Sequence, residues 1–244
     1  MKTNALRAPM KGIATNLAEV KRSIEAACRR VGREPNAVEL IAVSKTFPAA
    51  DIAEAVAAGQ KVFGESRLQE AEPKIDELPK SLSWHFIGSV QRNKVRKILQ
   101  KFGVIHAIDS LRLAEYVNAV ASDLGLIAEV FLQVNVGHEA SKGGFDAAVL
   151  REEISSLCEL KHLKIRGLMC IPPEGPDAES ARHWFVSLRE LRDELSKISG
   201  CPLEDLSMGM SGDFEVAIEE GATHVRVGSL IFGRRSVRVE GELG

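Results

Sequence analysis

The chain has 244 residues, 45% of them hydrophobic and 27% charged, with 32 basic against 34 acidic side chains and a formal net charge of −2. That composition can bury one large core, so disorder is not the default, and the near-neutral balance provides no overall field for nucleic acid or a membrane surface. Cys28, Cys158, Cys170 and Cys201 are scattered without a C-x-x-C, which fits reduced packing thiols better than a disulfide framework or a zinc site.

The first ten residues lack an apolar leader segment, and no uncharged run reaches membrane-spanning length, so a cytoplasmic protein is expected. Residues 1–10 are expected to be a flexible N-terminus, 11–235 a single domain and 236–244 a tail. In chain order, the apolar periodicity predicts a first helix over residues 13–31, ended by Gly32 with Pro35 beyond it. A strand at 40–43 leads to a helix at 49–58 and Gly59, followed by strands at 61–63 and 84–87. A helix at 92–102 precedes a strand at 104–108, and Asp109-Ser110 offer an N-cap for a helix at 110–124. A strand at 129–135, a helix at 147–157 and a strand at 164–169 come next. Pro176-Asp177 offer the cap of a helix at 178–198, stopped by Gly200, and strands at 206–208 and 224–227 complete the pattern. Eight strands alternating with helices close most economically as an α/β fold of the (β/α)8 TIM type, with one extra N-terminal helix. A doubly wound open sheet is the alternative, but no G-x-G-x-x-G follows the first strand.

The chemistry concentrates at strand ends. Lys45 closes the run Leu40-Ile41-Ala42-Val43-Ser44-Lys45. It either snorkels into water or sits in an apolar site, where an ammonium loses its proton and the amine becomes a nucleophile toward aldehydes. The Gly/Ser segments at 206–213 and 223–229 fall where the last two strands of a barrel end, the usual phosphate site of this fold, and Ser207, Ser211 and Ser229 add hydroxyls. Taken singly each segment reads as a turn. Together they pair an aldehyde-reactive amine with a phosphate cradle, and the cofactor that needs both is pyridoxal 5'-phosphate (PLP). Arg226 is either a strand-end salt bridge or the charged partner of the pyridine nitrogen, where an arginine would leave the ring unprotonated and a poor electron sink. His85, His106 and His183 show no ligand spacing and read as structural, so no metal is expected. The basic stretch 92–97 with Lys101 alternates with Val95, Ile98 and Leu99 and reads as a solvated helix face. Arg234-Arg235 and residues 240–244 read as a frayed end.

Several separate blocks bear a family resemblance. They are Ala42-Val43-Ser44-Lys45-Thr46, Phe63-Gly64-Glu65, Trp84-His85-Phe86-Ile87-Gly88 with Gln91 and Asn93-Lys94-Val95, and Gln133-Val134-Asn135 with Ser141-Lys142 and Gly144-Phe145. Gly167-Leu168-Met169, Ser207-Met208-Gly209-Met210-Ser211 and Val225-Arg226-Val227-Gly228 with Ile231-Phe232-Gly233 complete the set. On these the chain resembles the pyridoxal-phosphate homeostasis proteins, over about residues 11–235, a family that looks like the N-terminal barrel of alanine racemase standing alone. The resemblance implies a PLP aldimine at Lys45, a phosphate around Ser207, Ser211, Gly228 and Ser229, Ser66 and Met208 also at the cofactor, and Arg226 facing the pyridine nitrogen. It implies a monomeric PLP carrier or buffer tied to amino-acid and keto-acid balance, with apo-enzymes as recipients and no established turnover; an amino-acid racemase is the alternative. The chain departs from the family pattern at Ser66, where asparagine is common, at Ser89, where histidine is common, and at Ser229, where threonine is frequent. Its only tyrosine, Tyr116, falls in a helix read as packing on the barrel, which weighs against racemisation.

Overall fold

In the structure, a computed structural model that describes residues 12–139 and 143–233, buried apolar runs form eight parallel strands. The expectations for residues 1–10, Ser141-Lys142, Arg234-Arg235 and 236–244 lie outside the described residues. The strands are β1 (Glu39–Val43), β2 (Val62–Glu65), β3 (Ser83–Phe86), β4 (Val104–Ile108), β5 (Ala128–Val134), β6 (Leu163–Cys170), β7 (Asp205–Met210) and β8 (His224–Val227). They pair in chain order, and β8 returns to β1 with Glu39 opposite His224 and Ala42 opposite Val227, so the sheet closes into the expected barrel. Every strand falls within two residues of its sequence-based bounds; the largest differences are at β2, which runs on to Glu65, and at β7, which runs on to Met210.

The helices that cover the barrel are α1 (Ile13–Arg30), α2 (Ala49–Ala57), α3 (Leu68–Glu77), α4 (Val95–Lys101), α5 (Leu111–Asp123), α6 (Ala147–Cys158), α7 (Arg182–Ser199), α8 (Phe214–Glu219) and α9 (Ser229–Phe232). The extra N-terminal helix α1 buries Leu17, Val20, Ile24, Ala27 and Cys28 at helical spacing and packs on α2, α8 and α9, across the seam where β8 meets β1. Ser110 caps α5 as expected, its hydroxyl accepting from the Leu113 N–H. Asp177 caps a single 3-10 turn instead, accepting from Ser180 N–H at 2.9 Å, and α7 begins only at Arg182. On α4, Val95, Ile98 and Leu99 are buried while Arg96 and Lys97 are exposed and pair with Asp123 and Glu72. This is the solvated face read from the sequence.

Most of the apolar core lies between the barrel and its helices. The barrel interior is more polar. His106 of β4 stacks on Phe131 of β5 at 4.5 Å, and Phe131 reaches across to His224 of β8 at 5.1 Å, filling space that branched aliphatics usually occupy.

Candidate functional site

A cavity of about 550 Å³ opens at the carboxyl ends of the strands, and Lys45, Ser66, Met210, Ser211, Arg226 and Ser229 all line it. Lys45 is not on β1, which ends at Val43; it stands two residues beyond, half-buried in the turn Ser44–Phe47, closed by Phe47 N–H to Ser44 O at 3.1 Å. The next residue, Thr46, has φ 71°, a left-handed conformation that a β-branched residue adopts only at a cost of order 1 kcal/mol or more. Strain of this kind persists where surrounding contacts over-determine it.

Those contacts come from beneath the turn. Glu65 at the end of β2 is fully buried; its Oε1 accepts from the Ser44 hydroxyl at 2.7 Å and from Lys74 Nζ at 2.8 Å. Lys74 also donates to the Ser44 carbonyl at 3.1 Å, so one buried ion pair braces the residue that precedes Lys45. Sequence reasoning missed Lys74, and α3 was not among the helices read from the sequence. The available signal was a lysine on the apolar face that Leu68, Ala71 and Ile75 define. Ser66 follows Glu65 into the cavity wall. Gly88 lets the β3 loop pass against it, since a Cβ at Gly88 would stand 2.1 Å from Ser66 O.

The two loops lie beside the Lys45 turn, because β8 pairs with β1 and a Cβ at Gly228 would stand 3.1 Å from Val43 O. Strand β7 extends to Met210, and its end is turned by Gly209, at φ 92°, where a Cβ would meet Ala217 Cβ at 2.6 Å and the Phe214 backbone at 2.9 Å. Asp213 locks that turn by accepting from Met210 N–H at 2.6 Å, and burial pushes its carboxyl above the ordinary range. Ser211 Oγ accepts from Gly228 N–H at 3.2 Å, which ties the loop after β7 to the loop after β8. Ser211, Gly228 and Ser229 therefore meet on one wall of the cavity.

Two expected site residues do not join that wall. Ser207 is fully buried inside the barrel, and its hydroxyl is engaged by Arg226 Nη1 at 2.7 Å and His106 Nδ1 at 2.8 Å, so its side chain does not serve a phosphate cradle. Met208, the next residue on the strand, belongs to the apolar core and does not line the cavity. Both placements follow from side-chain alternation along β7, which continues to Met210 before the loop begins. Tyr116 lies on α5 under the Arg92 guanidinium, 4.4 Å from the ring centre, and is not part of the cavity lining. Ser89 borders an adjoining cleft of about 240 Å³ with Asp109, Gln133 and Asn135.

Arg226 forms the floor. It is nearly all buried, donates to Ser207 O at 2.8 Å and Cys170 O at 2.9 Å besides the Ser207 hydroxyl, and has no carboxylate in an ion pair among the described residues. Burial lowers its pKa from the usual arginine range, and the same burial pushes the Cys170 thiol up to about 12. The strand-end salt bridge considered for Arg226 is thus absent among the described residues, and the guanidinium faces a cavity instead. Among those residues no group of three or more His, Cys, Asp or Glu side chains is placed to hold a metal ion, and no helix is long and apolar enough to cross a membrane.

A closed parallel barrel with a lysine beside β1, a two-loop hydroxyl wall at β7 and β8 and a buried arginine between them defines a class, and the family model described as "Alanine racemase, N-terminal domain" matches residues 15–236. A pyridoxal phosphate homeostasis protein of Aquifex aeolicus is 45% identical over 220 residues, 90% of this chain and 96% of that one. The structure of PipY from Synechococcus elongatus PCC7942 with PLP bound superposes with a TM-score of 0.80 at 41% identity, covering 91% of this chain and all of that one. An alanine racemase of Clostridium difficile in complex with cycloserine shares the fold alone, with a TM-score of 0.72 at 14% identity over 92% of this chain and 61% of that one. The chain belongs to the pyridoxal phosphate homeostasis protein family.

Proposed function

We infer that this protein binds PLP through Lys45 and serves as a carrier or buffer of the cofactor, with no efficient turnover of its own. The observation that carries the reading is Arg226, a buried guanidinium without a carboxylate partner among the described residues, at the floor of the cavity that also holds Lys45 and the Ser211–Gly228 wall. Its guanidinium donates to Ser207 and Cys170 and keeps further N–H groups that need an acceptor, and a pyridine nitrogen is one. When bound, PLP supplies an aldehyde that condenses with an amine and a ring that withdraws electrons.

The residues divide the work. The braced turn at Ser44–Phe47 sets Lys45 in the cavity lining, where its amine would meet the aldehyde; Ser211 and Ser229 would offer hydroxyls to the phosphate, and Arg226 would offer donors to the ring nitrogen without giving it a proton. An arginine in that position leaves the ring a weak electron sink, and Tyr116 supplies no second base, which favours holding over racemisation. Recipient apo-enzymes, a monomeric state and residence in the cytoplasm are parts of the same proposal; four free cysteines support a reducing compartment. Titration of the apo-protein with PLP, followed by visible absorbance, tests the site. Ser211→Asp places a carboxylate against the phosphate and should weaken binding by roughly a hundredfold or more, while circular dichroism stays unchanged. Wild-type affinity in Ser211→Asp would mean that the phosphate binds elsewhere.

A further inference from the structure

The barrel interior holds a chain of hydrogen bonds that the cofactor site does not by itself require. Arg226 Nη1 donates to Ser207 Oγ at 2.7 Å, Ser207 Oγ lies 2.8 Å from His106 Nδ1, and His106 Nε2 lies 3.0 Å from His85 Nδ1. The contacts run from β8 through β7 and across the barrel to β4 and β3, so they pass through its centre. All four side chains are at most 5% exposed.

The direction of this chain follows from donor accounting. A guanidinium can only donate, so Ser207 Oγ accepts from Arg226. The serine has one proton left to place, and His106 Nδ1 is the ring nitrogen within reach. If His106 donated instead, the fully buried hydroxyl would hold an orphaned proton, which burial makes costly. Ser207 therefore donates to Nδ1, His106 carries its proton on Nε2 and donates to His85 Nδ1, and His85 carries its own on Nε2. Both rings are neutral in this arrangement. Burial drives both imidazoles down, His85 to about 4 and His106 well below its ordinary value, in accord with a chain that has no room for another proton. At its far end His85 faces Glu39 of β1, Glu129 of β5, Arg166 of β6 and His224 of β8; at the near end Arg226 faces Cys170 and Asp213.

We propose that His106 is a positioning residue for Arg226: acting through Ser207 and backed by His85, it fixes a one-way hydrogen-bond chain that keeps acceptors on the guanidinium's inner edge and its remaining donors aimed into the cavity. Three of the five guanidinium protons are held by Ser207 O, Ser207 Oγ and Cys170 O, which leaves one Nη2 proton and Nε–H for a ligand. The role rests on the PLP reading only for what those donors meet.

Two measurements test it. In the apo-protein, long-range ¹H–¹⁵N correlation of the histidine rings should show His106 and His85 as neutral Nε2–H tautomers from pH 8 down to 5. A proton on His106 Nδ1, or titration of either ring near its ordinary value, overturns the chain. In the PLP-loaded protein, His106→Leu removes the acceptor that orients Ser207 and should weaken cofactor retention roughly three- to tenfold, the range of one lost hydrogen bond. Its visible band should also move with pH between 5 and 8. His106→Asn, whose side-chain oxygen can stand in for Nδ1, should restore the pH-independent band of the wild type. A wild-type band and affinity in His106→Leu, or equal impairment in His106→Asn, would refute the positioning role. A wild type that takes up no PLP would instead refute the proposed function, while the tautomer measurement on the apo-protein would still decide the chain, even if the leucine variant failed to fold.

Discussion

Lys74→Met should be among the most damaging single substitutions outside the cavity, and the Glu65 carboxylate is the reason. Glu65 is fully buried, its Oε1 is shared by Ser44 Oγ and Lys74 Nζ, and its Oε2 has no hydrogen-bond partner among the described residues. Methionine matches the lysine stem in volume but leaves that carboxylate with one hydroxyl as its support, and breaking a buried pair from one side costs about 3–5 kcal/mol. Lys74 retains 9% exposure, so some water reaches the pair and the lower half of that range is expected. The Ser44 carbonyl also loses one of its donors and keeps only the Phe47 N–H, so the Lys45 turn should loosen and PLP retention should fall with stability. Adding Glu65→Gln removes the stranded charge, so the double variant should be more stable than Lys74→Met alone. Urea unfolding of the four proteins closes the cycle. A cost below about 1 kcal/mol for Lys74→Met, the range of an exposed pair, or a double variant whose cost equals the sum of the singles, would refute the argument that the pair is a coupled buried brace.

Stability should also depend on pH through the interior histidines. His85 has its folded pKa depressed from 6.5 to about 4, so the unfolded chain binds the extra proton first; the stabilisation is complete above pH 6.5 and is lost as pH falls toward 4. The shift corresponds to roughly 3 kcal/mol, and urea midpoints should drop over this window, whereas a flat profile would contradict a buried neutral imidazole. Racemisation should be negligible: PLP-loaded protein incubated with L-alanine in deuterium oxide should yield no D-alanine at enzyme-like rates, roughly 1 per second. Rapid appearance of the D-enantiomer would favour the racemase alternative over the carrier.

Strand positions and closure were legible because a buried strand in a parallel barrel reads as a bounded apolar run, and eight such runs with helices between them leave few topologies. Lys45, Ser66, Ser211, Arg226, Gly228 and Ser229 were recognised and do meet in one cavity. Ser207 and Met208 lie apart from that cavity lining for a definite reason. The apolar run weakens at Gly209, so the strand was ended at Met208, whereas β7 continues to Met210 with a register shift against β8. Alternation along β7 puts Ser207 inside the barrel and Met208 in the outer core, and the longer strand sets the loop that follows further on. The Glu65 and Lys74 brace was hidden because Pro73 interrupts the helical pattern of α3. The His85, His106 and Ser207 contacts join residues 21 and 101 positions apart, a distance over which periodicity carries no information. What the sequence did show was each histidine inside an apolar strand, the mark of a satisfied buried ring.

Borohydride trapping with peptide mapping tests the central claim most directly. Apo-protein incubated with PLP and then reduced should carry one pyridoxyl adduct, on the peptide that contains Lys45, and Lys45→Ala should lose both that adduct and the visible band while keeping its fold. A full-strength adduct on another lysine, or an undiminished band in Lys45→Ala, would contradict the assignment of Lys45 as the residue that holds the cofactor.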